Sequence, residues 1–152
     1  IWDVTTDTCR QILTGHKNQI SGVTFSPDGK QVASCEAQTI KLWEVKTGEC
    51  CQTLSDGLTF IWSITWSPDG KTLAFGDAKG VKLWEVETGE CRQILSGFTS
   101  QVWSVVFSQN RSAIPLRERY AIAASDKQTV KLWQIHPSGI INPLQTIQGY
   151  AN

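Results

Sequence analysis

The side chains of this chain that could do chemistry are few, chiefly two histidines and five cysteines. The adjacent thiols Cys50 and Cys51 have no histidine close to them in the sequence, and no neighbour that would lower the pKa of a thiol and activate it. Zinc ligands come in close pairs, and the chain has no C-x-x-C. It also lacks a nucleophile-elbow motif, a glycine-rich phosphate loop and a paired-carboxylate arrangement. The sequence therefore predicts a protein that is not an enzyme and that needs no metal and no cofactor.

Three of the cysteines recur at one interval. Cys9, Cys50 and Cys91 are 41 and 41 residues apart (50−9 and 91−50). If each belongs to one unit of a repeat, equivalent thiols of neighbouring units lie beyond the roughly 7 Å Cα separation that a disulfide allows. Together with the odd total of five, this spacing predicts free thiols and a reducing, cytoplasmic location.

The same interval separates four copies of a tryptophan phrase. The tryptophans of these copies fall 41, 41 and 49 residues apart (43−2, 84−43, 133−84). The copies are Ile1-Trp2-Asp3-Val4, Lys41-Leu42-Trp43-Glu44-Val45, Lys82-Leu83-Trp84-Glu85-Val86 and Lys131-Leu132-Trp133-Gln134-Ile135. A fixed interval of about 40–45 residues is typical of a repeat architecture.

Each interval holds four strand signals separated by turn residues. In the repeat that contains Trp43 they cover 20–25, 31–35, 39–45 and 50–54, and in the next repeat 61–66, 72–75, 81–86 and 91–95. Ser26-Pro27-Asp28-Gly29 predicts a tight turn, because proline fixes φ and glycine tolerates positive φ. The pattern predicts an all-β chain of short antiparallel strands.

The third strand of each repeat explains why the unit must be stacked. Side chains alternate along a strand, so Ile40 and Leu42 lie on one face and Trp43 and Val45 on the other. Both faces are apolar, and stacking each sheet between two neighbours buries both. Radial stacking of four-stranded sheets gives a β-propeller. A two-sheet sandwich also has many short strands, but it does not account for the 41-residue interval.

From end to end the chain resembles an array of WD40 repeats, with near-identical units of the kind common in bacterial WD40 proteins. The resemblance implies a bracing tetrad in each blade, which His16 (after Gly15), Ser34 and Trp43 match, and it favours a structural over a catalytic role for His16. The histidine is missing elsewhere, where Asp56-Gly57, Gly97-Phe98 and Gly149-Tyr150 stand. The family's turn acid falls at Ala37, Ala78 and Lys127. Glu36, Asp77 and Asp126 lie one place earlier, and whether they substitute is open.

The repeats give a blade count. Residues 1–14 supply only the last two strands of a blade, and complete blades are expected at 19–56, 60–97 and 101–149. Propellers have about 4–8 blades, so the chain is expected to be an excerpt of a larger propeller. In bacterial relatives such arrays often accompany signalling domains, which implies a sensor or partner-recognition module.

Two tryptophans occupy one repeat position. Trp62 and Trp103 each follow the first apolar residue of a first strand, where the preceding repeat has Ser21. The resemblance puts this position near a rim of the propeller where peptides bind, and exposed aromatics commonly anchor interfaces. We predict a binding patch at these tryptophans, extended by Phe60 and Phe98. The alternative is that each tryptophan packs on the next blade.

The last repeat carries extra residues between its first two strands. The excess falls at 109–120, which includes Arg111, Arg117 and Arg119, and a shorter insertion falls at 136–142. Insertions on a rigid scaffold often carry function, although tolerated insertion is the commoner case. We regard these arginines as candidate contact residues.

The composition of the chain argues against some classes of binding partner. Fourteen basic and fourteen acidic residues cancel, so the chain lacks the basic excess that non-specific nucleic-acid binding needs. No apolar run approaches the roughly 20 residues of a membrane-spanning helix, and the first residues do not form a signal peptide. The sequence predicts a scaffold that binds a protein or peptide, with no nucleic-acid or membrane partner. The alternative is a structural role in which open blade faces self-associate.

Overall fold

Every regular element that the computed structural model describes is a β-strand. The structure describes residues 1–55, 59–108, 120–135 and 141–149. The first two strands are β1 (Trp2–Asp3) and β2 (Thr8–Cys9). Then come β3 (Ile20–Phe25), β4 (Gln31–Glu36), β5 (Thr39–Glu44) and β6 (Cys50–Leu54). The next four are β7 (Ser63–Trp66), β8 (Thr72–Asp77), β9 (Gly80–Glu85) and β10 (Glu90–Leu95). The last four are β11 (Ser104–Phe107), β12 (Tyr120–Ser125), β13 (Thr129–Ile135) and β14 (Ile141–Gln148).

These strands form one hairpin and three four-stranded sheets, each paired antiparallel in chain order. We call β3–β6 the first sheet, β7–β10 the middle sheet and β11–β14 the last sheet. The predicted fold class is confirmed: the described chain is all-β, with three complete four-stranded sheets after the β1–β2 hairpin. No helix lies within the described ranges, and so none there is long and apolar enough to span a membrane.

Two strands begin later than the sequence suggested, for one physical reason. Ile61 was expected to open a first strand, but its backbone N–H donates to Ala37 O of the first sheet at 2.8 Å. In the same way, Val102 N–H donates to Asp77 O of the middle sheet at 3.1 Å. The residues that enter β7 and β11 therefore tie neighbouring sheets together before the ladder of their own sheet begins.

The core lies between the sheets, so the middle sheet is buried on both faces. Leu73 and Phe75 of β8 pack against the first sheet, and Ala74 between them belongs to the core shared with the last sheet. Successive side chains of a strand point to opposite faces of its sheet, so alternate residues of β8 pack against different neighbours. A Cβ on Gly76 would lie 2.7 Å from Val102 Cγ1, which shows how closely the middle and last sheets approach.

The outward faces of the end sheets are less covered. Val23 and Phe25 of β3 are 65% and 53% exposed, and they line a groove against the β1–β2 hairpin. On the last sheet, Val106 is 50% and Val130 39% exposed. Apolar side chains are thus accessible at both ends of the stack of sheets.

Candidate functional site

Three aromatic rings from two sheets form a continuous row. The ring centroids of Phe60 and Trp62 are 4.5 Å apart, and those of Trp62 and Trp103 are 4.6 Å apart. Phe60 is 44% and Trp103 47% exposed, and Trp62 between them is partly buried. We call Phe60, Trp62 and Trp103 the aromatic row.

Backbone hydrogen bonds place the row at one edge of the sheets. Trp62 N–H donates to Gly76 O at 3.1 Å, and Trp103 N–H donates to Ser125 O at 2.9 Å. Both acceptors lie at the end of the second strand of a sheet, beside the turn into the third. We call this side the upper edge: the turns at 36–38, 77–79 and 126–128 with the segments 15–20, 59–62 and 97–103 that lead into the first strands.

The first sheet has a serine at the equivalent position and makes a different contact there. Ser21 Oγ donates to Ile61 O, the carbonyl just before Trp62, at 2.7 Å. A hydroxyl thus joins the first and middle sheets where two indoles join the middle and last sheets. The fold therefore accepts a small polar side chain at this position, and the bulk of Trp62 and Trp103 is not needed to close the contact.

Phe98 does not extend the aromatic row, contrary to the patch that the sequence suggested. Its ring packs against Trp133, with centroids 5.7 Å apart, and it borders the core between the middle and last sheets. Lys131 Nζ lies 5.4 Å from the centre of the Phe98 ring. Phe98 follows Gly97 just as His16 follows Gly15, so the two residues occupy the same repeat position. His16 packs against Trp43 with ring centroids 5.8 Å apart, and Phe98 makes the equivalent contact with Trp133.

The side chains of His16, Ser34 and Trp43 form one hydrogen-bonded chain. His16 Nε2 lies 2.6 Å from Ser34 Oγ, and Trp43 Nε1 donates to the same oxygen at 2.7 Å. On the far side of the ring, His16 Nδ1 is 3.4 Å from Glu36 Oε1. Glu36 therefore stands where an acid can orient the imidazole, although it lies one place earlier than the position that the resemblance implied.

A model of the WD40 family, described as WD domain, G-beta repeat, matches residues 7–44, 48–85 and 89–134. The chain belongs to the WD40 repeat family. The structure of U3-55K is similar, with a TM-score of 0.76 and 21% identity over 92% of this chain and 42% of that one. The crystal structure of RRP9 WD40 repeats is also similar, with a TM-score of 0.76 and 21% identity over 91% of this chain and 41% of that one. This chain spans about two fifths of each of these structures. No curated protein matches its sequence.

The acidic side chains Glu36 and Asp126 at the upper edge of these WD40 blades accept hydrogen bonds from the protein itself. Glu36 is buried, which by itself raises the pKa of its carboxyl. Hydrogen bonds from Asn18 N–H and Lys17 N–H, with the contact to His16, outweigh burial and hold that pKa below its usual value. Burial likewise opposes ionisation of Asp126, and hydrogen bonds from Gln128, Thr99 and Thr129 lower the pKa of its carboxyl overall.

The bracing chain is complete in one blade only among those described. Phe75 and Ala124 stand nine residues before Trp84 and Trp133, where Ser34 stands before Trp43. Trp84 Nε1 is buried without a hydrogen-bond partner among the described residues, and its ring meets Phe75 edge-on at 5.9 Å. Aromatic and aliphatic packing therefore takes over from hydrogen bonding in the later blades. The residue types at these two positions could have revealed this from the sequence.

The chemistry available to the aromatic row is stacking, burial of apolar groups and cation–π contact. Across the described ranges, no group of three or more histidine, cysteine, aspartate or glutamate side chains could hold a metal ion. The predicted contact residues Arg111, Arg117 and Arg119 lie outside the described residues, as does His136.

Proposed function

We propose that this WD40 chain is a non-catalytic module that binds a protein or peptide through the aromatic row at its upper edge. The observation that carries the proposal is the row itself, in which three large rings from two blades contact one another while Phe60 and Trp103 stay nearly half exposed. Tryptophan is among the residues most enriched in the energetic centres of interfaces. A partner side chain laid across the row would cover all three rings.

Comparison with the first blade supports recognition over packing. Ser21 joins its blade to the next one through a single hydroxyl, so the joint does not require an indole. An exposed indole costs solvation free energy unless something covers it, and a bound partner would cover it. In this proposal the module is a cytoplasmic recognition unit, which the odd number of its cysteines and their 41-residue spacing favour.

The test uses a peptide selected from a displayed random library on the wild-type protein. The double variant Trp62→Ser, Trp103→Ser should bind that peptide more weakly by about 2 kcal/mol or more, as truncated hot spots do. Because serine is the residue of the first blade, its melting temperature should change little. Trp2→Ser is the matched control, since Trp2 is 65% exposed in the hairpin and lies outside the row.

Two results would contradict the proposal. One is a double variant that binds the peptide as well as the wild type does. The other is a double variant that melts far lower while its folded fraction binds normally, which would make the two tryptophans core residues.

A second candidate is self-assembly through the end faces of the sheet stack. It is favoured by the exposed apolar side chains Val23 and Phe25 at one end and Val106 and Val130 at the other. In this alternative the face of the first sheet meets the last sheet of a second copy. Phe25→Asp should then lower the mass measured by sedimentation, and Ile94→Asp, at an exposed outer strand of the middle sheet, should not.

A further inference from the structure

The charged side chains exposed at the upper edge are lysines, within the part of the chain that the structure describes. Lys17, Lys79 and Lys127 are exposed there. The three acids of this edge, Glu36, Asp77 and Asp126, are 5%, 0% and 8% exposed. Among the described residues of this edge, a ligand therefore meets ammonium groups and no accessible carboxylate.

The buried acids accept hydrogen bonds from groups within the protein, so their carboxylates do not contact a ligand. Glu36 accepts two backbone N–H groups of the segment that leads into the first blade. Asp77 accepts from Lys79 N–H and Gly80 N–H, and its other oxygen lies 3.1 Å from Lys82 Nζ. Asp126 accepts from Thr99 N–H and Thr129 N–H. These bonds fix the turns and leave the exposed lysines as the charges that face outward.

The opposite edge of the sheets exposes charges of both signs. Its turns expose acids and lysines together, as at Asp28 beside Lys30 and Asp69 beside Lys71. The turn after β9 exposes Glu87, and Glu90 at the start of β10 is exposed as well. The net charge of zero does not reveal this contrast: within the described residues the exposed charges of the upper edge are lysines, and those of the opposite edge are of both signs.

The turn that carries Lys79 is bonded to residues next to both ends of the aromatic row. Its turn is contacted on one side by Thr59, whose Oγ1 accepts from Ala78 N–H at 3.3 Å, next to Phe60. On the other side Val102 N–H donates to Asp77 O, next to Trp103. Lys127 is placed similarly beside the entry to the last blade, since its N–H donates to Ser100 Oγ at 3.2 Å. The turns that carry Lys79 and Lys127 are thus bonded to the segments that carry the exposed rings.

We infer, building on the proposed function, that the partner is an acidic peptide segment. An aromatic or aliphatic side chain of the peptide covers Trp62 and Trp103, and anionic groups beside it pair with Lys79 and Lys127. Complementary charge at the rim of an apolar centre speeds encounter and rejects partners of the wrong sign. The anion is a carboxylate of the peptide, and a phosphate on the peptide is the other source of the same chemistry.

The experiment starts with the peptides that a displayed random library yields on the wild-type protein. Acidic sequences with one aromatic or aliphatic centre should be enriched. For the strongest peptide, Lys79→Glu should weaken binding about tenfold, chiefly through slower association, and added salt should reduce the difference. Lys46→Glu is the matched control, because Lys46 is an exposed lysine of the turn after β5 at the opposite edge. Its binding should equal that of the wild type.

Peptide variants separate the possible outcomes. Replacing the acids of the peptide by their amides should lose about as much binding as Lys79→Glu does. Enrichment of neutral or basic peptides, or a Lys79→Glu variant that binds normally, overturns the acidic partner; if Trp103→Ser still abolishes binding, the proposed function stands. A peptide that binds only when phosphoserine replaces its acids makes phosphate the recognised group and overturns the carboxylate. Failure to enrich any peptide, or binding that ignores Trp103→Ser, overturns both proposals.

Discussion

The rings of Trp62 and Trp103 lie 4.6 Å apart by centroid, although 41 residues separate them in the chain (103−62). Each tryptophan follows a residue whose N–H is bonded to the turn of the preceding blade, so the step from blade to blade sets their separation. A row of rings therefore arises from one residue type repeated at one repeat position. Ser21 occupies that position in the first complete blade, and the row begins one blade later.

The first prediction concerns the oxygen that serves two donors. Ser34 is buried, and its Oγ lies within hydrogen-bond distance of His16 Nε2 and Trp43 Nε1. Ser34→Ala leaves the indole N–H buried without an acceptor, which should lower the free energy of unfolding by about 2 kcal/mol or more. Denaturant unfolding of the variant measures the loss, and Ser96→Ala, at an exposed serine, should leave stability nearly unchanged.

A double-mutant cycle tests whether the loss comes from the hydrogen bond to the indole. In the presence of Trp43→Phe no indole N–H remains, so Ser34→Ala should cost less than it does alone. Equal costs in both backgrounds would mean that Ser34 stabilises the blade by some other contact.

The fold was predictable because its determinants are local and repeated. Ser26-Pro27-Asp28-Gly29 specifies a tight turn wherever it stands, and Ser26 Oγ, Asp28 and Gly29 make the internal bonds of that turn. The two apolar faces of a third strand required a neighbour on each side, and β9 of the middle sheet has both neighbours. The start of β7 was not predictable from the sequence. Ile61 N–H could pair within its own sheet or donate to Ala37 O, and only the packing of neighbouring blades determines that it donates to Ala37 O.

The site was predictable in part. The repeat position of Trp62 and Trp103 could be found from the sequence, but the patch drawn around it included Phe98, although Phe98 stands at the repeat position of His16. Phe60 lies two residues before Trp62 and reaches its ring, whereas Phe98 lies five before Trp103 and turns to Trp133. The burial of Glu36, Asp77 and Asp126 could not be predicted from the sequence either. Their carboxylates accept hydrogen bonds from backbone N–H groups of distant segments or of their own turns, and the folded chain alone brings these groups together.

The second prediction concerns stability in acid. The pKa of Asp126 is lower in the folded chain than its ordinary value of 3.8, because hydrogen bonds from three residues outweigh the effect of burial. A lowered pKa of an acid means that its stabilising contribution is complete above the ordinary value and is lost progressively as pH falls from there through the lower folded-state pKa. The free energy of unfolding should therefore fall as pH decreases from about 5 to about 3.

Asp126→Asn tests the origin of that acid limb. The variant should be less stable than the wild type at neutral pH and should lose less stability between about pH 5 and about pH 3. Asp7→Asn, at an exposed turn residue, is the control and should keep the wild-type slope. Parallel pH curves for Asp126→Asn and the wild type would assign the acid limb to other groups, of which Glu36 is the first candidate.

The third prediction concerns the spacing between the middle and last blades. A Cβ at Gly76 would lie 2.7 Å from Val102 Cγ1 and 2.9 Å from Val102 O. Gly76→Ala should therefore cost about 1–3 kcal/mol of unfolding free energy, because the two blades must move apart. Gly22→Ala is the milder control, since its nearest atoms would be side-chain ends at 3.1 and 3.2 Å. Adding Val102→Ala removes the methyl contact, so the two changes together should cost less than their sum; additive costs would show that the blades are not in close contact there.

The fourth prediction concerns the five thiols. Cys9, Cys50, Cys51 and Cys91 are exposed, whereas Cys35 is fully buried and burial raises the pKa of its thiol. A reagent that reacts with thiolates should therefore modify four thiols rapidly in the folded protein, and the fifth only when denaturant is added. Cys35→Ala should lower the denatured count to four and leave the native count unchanged. Five equally fast thiols in the folded state would mean that the core between the first and middle blades opens readily, and three or fewer in denaturant without reductant would mean that a disulfide has formed.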